Sequence, residues 1–150
     1  LRFEREIDIN SPKEKVWRFL WDVDRFIACV PGCKEAGTVE PGKSYTATMV
    51  EKVGPFRVEF PMKIDVLESR DLSYIKAQAT GSDSKIGSRM KVELDVSLAG
   101  DGDRTKLSLG ASVDILGKLA TLGHSMIKRK ADQVMDQFAG NLKQKLEAHA

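Results

Sequence analysis

Few residues in this sequence carry reactive groups at spacings that chemistry could use. Cys29 and Cys33 lie close together in Ala28-Cys29-Val30-Pro31-Gly32-Cys33, and the two histidines, His124 and His149, stand far along the chain. A structural zinc needs about four ligands at tight spacing, so no metal site is expected here. A disulfide would close a very short loop, and intracellular thiols are normally reduced, so both cysteines read as small buried apolar groups. Asp101 and Asp103 in Gly-Asp-Gly-Asp begin like a calcium loop but lack the remaining ligand positions and the closing glutamate. They read as a solvated turn. His124 has no partner that would make it a general base and reads as a boundary residue. Lys128-Arg129-Lys130 is the one basic run. Three successive helical residues spread around most of a helix, so the run reads as a mostly solvated face, with an acidic partner or anionic lipid as the alternative.

Those residues must be positioned by a chain of 150 residues, which fits one domain, expected over 1–150, with room for a sizeable core. Lys and Arg number 24 against 22 Asp and Glu, a balance that argues against nucleic acid as the main partner. No apolar run approaches the roughly 18 to 20 residues of a membrane span, and the start Leu1-Arg2-Phe3-Glu4-Arg5 lacks the apolar stretch of a signal peptide. A cytoplasmic location is expected.

Residues Phe3 to Ile9 alternate apolar and charged, with Arg5 out of phase, as in a half-buried strand. Ser11-Pro12-Lys13-Glu14 then reads as a capping box opening a helix with Val16, Trp17 and Leu20 inward. A second short helix around Asp24 to Ala28 must stop near Pro31-Gly32. Turn signals at Pro41-Gly42, Gly54-Pro55, Ser69-Arg70-Asp71, Gly81 to Ser84 and Gly100 to Asp103 separate further strands. Their alternation is clean: Phe56, Val58, Phe60, Met62, Ile64 and Val66 on one face of one strand, then Ile86, Met90, Val92, Leu94, Val96 and Leu98, then Leu107, Leu109, Ala111, Val113 and Ile115. Pro61 predicts a bend. In the strand near Tyr45, both Tyr45-Ala47-Met49 and Thr46-Thr48-Val50 could face inward.

From Gly117 to about Ala148 there is no proline, and apolar residues recur near helical spacing, predicting a rod of roughly 45 Å. The order is that of an α+β helix-grip: a curved antiparallel β-sheet of about seven strands, two short helices, and one long C-terminal helix across the concave face. Small residues at Ala47, Ala77, Ala79, Ala111 and Gly123 predict an unfilled interior, with Gly123 either packing the helix close on a strand or leaving room for a ligand beneath the helix. The inward registers contain almost no titratable group, so the cavity is expected to be inert.

The segments Val30-Pro31-Gly32-Cys33, Val53-Gly54-Pro55 ahead of a long strand, and Val113-Asp114 leading into Gly117-Lys118-Leu119-Ala120-Thr121-Leu122-Gly123 resemble the CoxG family of carbon monoxide dehydrogenase subunits, in the START-like, Bet v 1-like helix-grip superfamily. The resemblance runs from about Phe3 to Leu146. It implies a non-catalytic accessory of molybdenum-containing hydroxylases that helps recruit the dehydrogenase to the cytoplasmic membrane, where lipophilic quinones accept its electrons. Family members often carry a membrane-attaching C-terminal extension, whereas this sequence stops at Ala150. The expected form is therefore a tether lacking its anchor or a soluble carrier, with peripheral contact at the inner face of the membrane.

The ligand expected in such a protein is a lipid or isoprenoid quinone, with no other cofactor, no metal and no catalytic residue. Its wall is expected at Val58, Phe60, Met62, Ile64, Met90, Val92, Leu94, Val113, Leu119, Gly123 and Ile127. Two alternatives remain. A cyclase or hydratase of the same superfamily would need Tyr45, Tyr74 or His124 to converge inside, and a surface-only assembly factor would have a filled core.

Overall fold

The computed structural model describes residues 1–148, so His149 lies outside the described residues. Strand β1 (Arg2–Ile9) is followed by helices α1 (Lys13–Trp21) and α2 (Val23–Ala28). The strands β2 (Cys33–Glu40), β3 (Ser44–Val53), β4 (Phe56–Arg70), β5 (Tyr74–Asp83), β6 (Ser88–Asp101) and β7 (Arg104–Gly117) come next, and α3 (His124–Glu147) ends the fold. The sheet runs β1-β7-β6-β5-β4-β3-β2 and is antiparallel throughout. Thus β2 to β7 form a meander, β1 pairs with its last strand, and the two short helices carry the chain from one edge to the other.

Register makes one face continuous. Met49 opposes Phe60, Ala47 opposes Met62, Ala79 lies between Ile64 and Val92, and Val92 opposes Val113. Opposed residues in an antiparallel pair point to the same side, so these side chains share the concave face. That register settles β3, with Tyr45, Ala47 and Met49 facing inward. Arg5 is inward as well. Its guanidinium reaches across to Asp132 at 2.9 Å and Asp136 at 3.0 Å on α3, which explains the break in alternation: sheet and helix are tied there by complementary charge.

Four local expectations are corrected. The capping box does not form, because α1 begins at Lys13 with Pro12 as its cap, whose carbonyl accepts the Lys15 and Val16 N–H groups. Ser11 is instead buried, its carbonyl accepting from Thr105 Oγ1 at 2.7 Å. The β3–β4 register passes Pro61 without a bulge, and the bulge of β4 lies between Val66 and Glu68. Pro61 stands one residue beyond the last β4–β5 pair, Met62 with Gly81, where the β5 ladder has ended. The turn read at Gly81 to Ser84 comes later, since β5 continues to Asp83, and Ile86 belongs to the turn.

The fourth correction concerns the long helix. Residues Lys118–Leu122 form a 3₁₀ turn, and the chain breaks at Gly123 before α3 starts at His124. Gly117 and Gly123 have φ of 87° and 90°, a region that side chains other than glycine rarely adopt, so both are hinge positions and not interior helix residues. The 24 residues of α3 span about 36 Å. Its Ile127, Phe138, Leu142 and Leu146 are buried, a 3.6-residue stripe laid on the sheet.

Candidate functional site

The core is divided. One cluster joins β1, α1 and the C-terminal half of α3 around Ile9, Val16, Leu107 and Leu142. A second gathers Val53, Val58, Phe60, Met62, Met90 and Leu119 near the other end of the sheet. Between them lies a half-open cavity of about 240 Å³ whose accessible wall is apolar. Left unfilled, a space of that size would forfeit on the order of 6 kcal/mol of packing, a large share of the roughly 5 to 15 kcal/mol that stabilises a domain.

Of the residues expected in the wall, the structure brings Val58, Phe60, Met90, Val92, Leu94, Val113, Leu119 and Ile127 together around the cavity. Met62 is packed into the adjacent cluster, Ile64 is half-buried farther along β4, and Gly123 stands at the hinge, where a Cβ would meet nothing within 4 Å. Gly123 therefore makes no room for a ligand. Among the small residues, Ala111 lines the space. Leu109, read as inward on β7, joins the wall, and Phe26, Val30, Met49, Val134, Met135 and Phe138 complete much of it and were missed, because they lie in or just after α2, in the register left open in β3, and on a helix whose rotation depends on the break at Gly123.

Two charged residues, Glu51 and Lys130, also reach the wall, but they show the cavity only apolar atoms. Glu51 opposes Val58 in the β3–β4 ladder, which fixes it on the concave face. Its carboxylate pairs with Lys130 of α3 at 2.7 Å, and the two side chains retain 18% and 28% exposure. Gly32 holds Glu51 in place: a Cβ there would come within 2.8 Å of Glu51 Cγ, and its φ is +80°. Gly32 of Val30-Pro31-Gly32-Cys33 thus lets the backbone lie close over the Glu51 side chain. Lys130 leaves the solvated face expected for the basic run, while Lys128 pairs with Asp132 at 2.8 Å along the helix.

The other reactive groups stay apart. The Tyr45 hydroxyl accepts the Gly42 N–H, Tyr74 donates to Asp95 at 2.9 Å, and His124 is exposed at the start of α3. None of them lines the cavity. Among the described residues no three His, Cys, Asp or Glu side chains gather as a metal group would require. Cys29 and Cys33 are free thiols. Burial, and secondarily the Glu51 charge, push the Cys33 thiol up to about 11, and burial raises Cys29 as well. Because the thiolate is the reactive form, native protein at neutral pH should be alkylated by iodoacetamide at least about tenfold more slowly than the unfolded chain. Time-resolved mass spectrometry would check this, and equal rates would refute it.

Comparison with known proteins agrees with this architecture. The model of the CoxG family of carbon monoxide dehydrogenase subunits matches residues 6–147. No curated protein matches the chain in sequence. Among solved structures, a conserved protein from Geobacillus kaustophilus is 20% identical with a TM-score of 0.86, covering 97% of this chain and 95% of its own. A START superfamily protein from Mycobacterium smegmatis is 13% identical with a TM-score of 0.77, covering 99% of each. The Zhui aromatase/cyclase from Streptomyces sp. R1128 is 14% identical with a TM-score of 0.66, covering 100% of this chain and 98% of its own. At these identities the likeness concerns the fold, which is START-like.

Proposed function

Because the chain belongs to the CoxG family of carbon monoxide dehydrogenase subunits, we propose that it is a non-catalytic carrier that holds a lipophile, such as an isoprenoid quinone, for a molybdenum hydroxylase working beside the cytoplasmic membrane. The observation that carries this reading is the apolar cavity of about 240 Å³ between two packed clusters. It lies just under the roughly 300 to 1,000 Å³ of small-molecule sites. A quinone ring fits such a volume, and a long isoprenoid chain would leave through the opening. The separation of Tyr45, Tyr74 and His124 from the wall favours carriage over cyclase chemistry, which needs such groups to converge.

The surface supports a membrane approach. No helix of the described residues is long and apolar enough to cross a bilayer. Pro55 and Met126 are exposed near Leu122 at the β3–β4 hairpin, and Lys118, Lys128 and Arg129 lie along the same stretch of chain. Such a mixture of apolar and basic groups suits peripheral contact with anionic lipid.

Native mass spectrometry of gently purified protein, with organic extraction of any bound mass, tests the proposal together with thermal unfolding in the presence of an alkylated quinone. A ligand at a hundredfold excess over Kd stabilises the fold by about 2.7 kcal/mol, or roughly 5 to 10 °C in midpoint for a chain of this size. A bound lipophile or a shift of that order is the expected result. The absence of both a bound mass and a shift would overturn the reading.

A further inference from the structure

The two halves of α3 are held in different ways. In the C-terminal half, Phe138, Leu142 and Leu146 enter the cluster around Ile9, Val16 and Leu107. Asn141 donates to the Cys29 carbonyl at 3.0 Å, Lys143 donates to the Asp8 carbonyl at 2.9 Å, and Glu147 accepts the Asn10 N–H at 2.9 Å. The N-terminal half has the cavity beneath it instead, with Ile127, Ala131, Val134 and Met135 in the wall, and only Ile127 is buried there. Charge holds that half down. On one flank Arg5 of β1 pairs with Asp132 and Asp136, at 2.9 and 3.0 Å, and on the other Lys130 pairs with Glu51 of β3 at 2.7 Å. Lys130 and Asp132 are two residues apart, about 200° around a helix, and Ala131 between them lines the cavity. In the sheet, β1 is one edge and β3 stands next to the other, with four strands in between. The helix is thus tied across the cavity at both margins. Both ends of the tied segment are weak points. Gly123 separates it from the preceding 3₁₀ turn at φ of 90°. Gly140, where a Cβ would meet nothing within 4 Å, puts the poorest helix former other than proline beside the start of the packed half.

We infer that residues 124–139 form an ion-tied strap that gates the cavity, lifting from the sheet when the Arg5 and Lys130 ties release and closing when they form again. The inference rests on the carrier reading and adds to it what governs the entry and exit of cargo. Partly exposed ion pairs are weak singly and exchange readily with water and salt ions. The strap can therefore open while the apolar packing of 140–147 stays intact.

The test uses N-phenyl-1-naphthylamine, an uncharged lipophilic fluorophore, and follows its release by stopped flow on mixing with excess methyl-β-cyclodextrin. Release from wild type should quicken about tenfold between about 0.05 and 1 M sodium chloride, the combined effect of weakening three ion pairs. An untied apolar cavity offers salt no charge to screen. Arg5 lies outside the wall, so Arg5→Met should quicken uptake and release together, by about fivefold, and leave the dissociation constant within about twofold. Asp132→Asn with Asp136→Asn should do the same from the helix side. Arg5→Met combined with Glu51→Gln and Lys130→Gln should abolish the salt effect, and Gly140→Ala should slow release about threefold by stiffening the helix. Hydrogen exchange reads the strap without a ligand: in Arg5→Met the amides of 127–138 should exchange about fivefold faster, while those of 141–147 keep their wild-type rate. Release and strap exchange indifferent to salt and to these substitutions would overturn the gate and leave carriage standing. So would exchange quickened equally along the whole of α3, the mark of general destabilisation. If neither the probe nor an alkylated quinone binds wild type, carriage fails and the gate with it.

Discussion

Ala111→Phe is expected to abolish the thermal shift given by an alkylated naphthoquinone while leaving the apo protein at least as stable as wild type. Ala111 is 2% exposed on β7, on the concave face opposite Leu94, and its methyl borders the cavity. A phenylalanine there can occupy space that holds no side chain now. Filling a void commonly stabilises by about 0.5 to 2 kcal/mol, so the apo midpoint should stay level or rise by a few degrees. The same ring removes the room a ligand needs, so a shift of roughly 5 to 10 °C should vanish. Gly123→Leu is the control. Its side chain would leave from a position with nothing within 4 Å of the Cβ and φ of +90°, so it should cost about 1 to 3 kcal/mol through backbone strain yet keep the ligand shift. Differential scanning fluorimetry decides the matter: an Ala111→Phe protein that still responds like wild type would locate the ligand elsewhere.

The contrast between Ala111 and Gly123 shows what a linear pattern can carry. Strand alternation is local, so Val58, Phe60, Met90, Val92, Leu94 and Val113 could be placed on one face from spacing alone, and they meet at the cavity. The break before α3 was hidden because Leu119 and Leu122 continue an apolar spacing close to helical and no proline intervenes; only the positive φ at Gly117 and Gly123 separates turn from helix. Charge facing inward was harder still. Glu51 lies in β3, either face of which could be read as inward, and its partner Lys130 is embedded in a basic run whose residues look alike in sequence. A carboxylate on a concave face makes physical sense only once a cation from a distant element is known to meet it. Arg5 was the available hint. Its break in an otherwise regular alternation answers Asp132 and Asp136, and the same logic applied to Glu51 points toward α3.

Asp83→Ala, outside the cavity, is expected to be strongly destabilising, although the sequence marks Asp83 only as part of a turn. The residue is 5% exposed. Its Oδ2 accepts the Glu59 N–H at 2.8 Å, and its Oδ1 accepts those of Lys85 at 2.9 Å and Ile86 at 3.4 Å. The side chain thereby replaces the ladder that β4 and β5 abandon beyond Met62 and Gly81. Alanine would strand these donors, and an unsatisfied buried group costs about 1 to 3 kcal/mol. Lys85 is exposed and can turn to water, so a loss of about 2 to 4 kcal/mol is expected, with Asp83→Asn intermediate because one acceptor oxygen survives. The pH dependence supplies a second check. Hydrogen bonding from Glu59 first, and then from Lys85 and Ile86, holds the Asp83 carboxyl below its ordinary 3.8 against the opposing effect of burial. A carboxyl depressed in the folded state contributes its stabilisation above the unfolded value of about 3.9 and loses it as pH falls through the lower folded value. Urea unfolding should therefore show a gap between wild type and Asp83→Ala that is constant from about pH 5 to 8 and narrows only below about pH 4. A gap under about 0.5 kcal/mol at neutral pH, within the range of ordinary surface substitutions, or one that persists unchanged into acid, would mean that the carboxylate does not hold the divergence of β4 from β5.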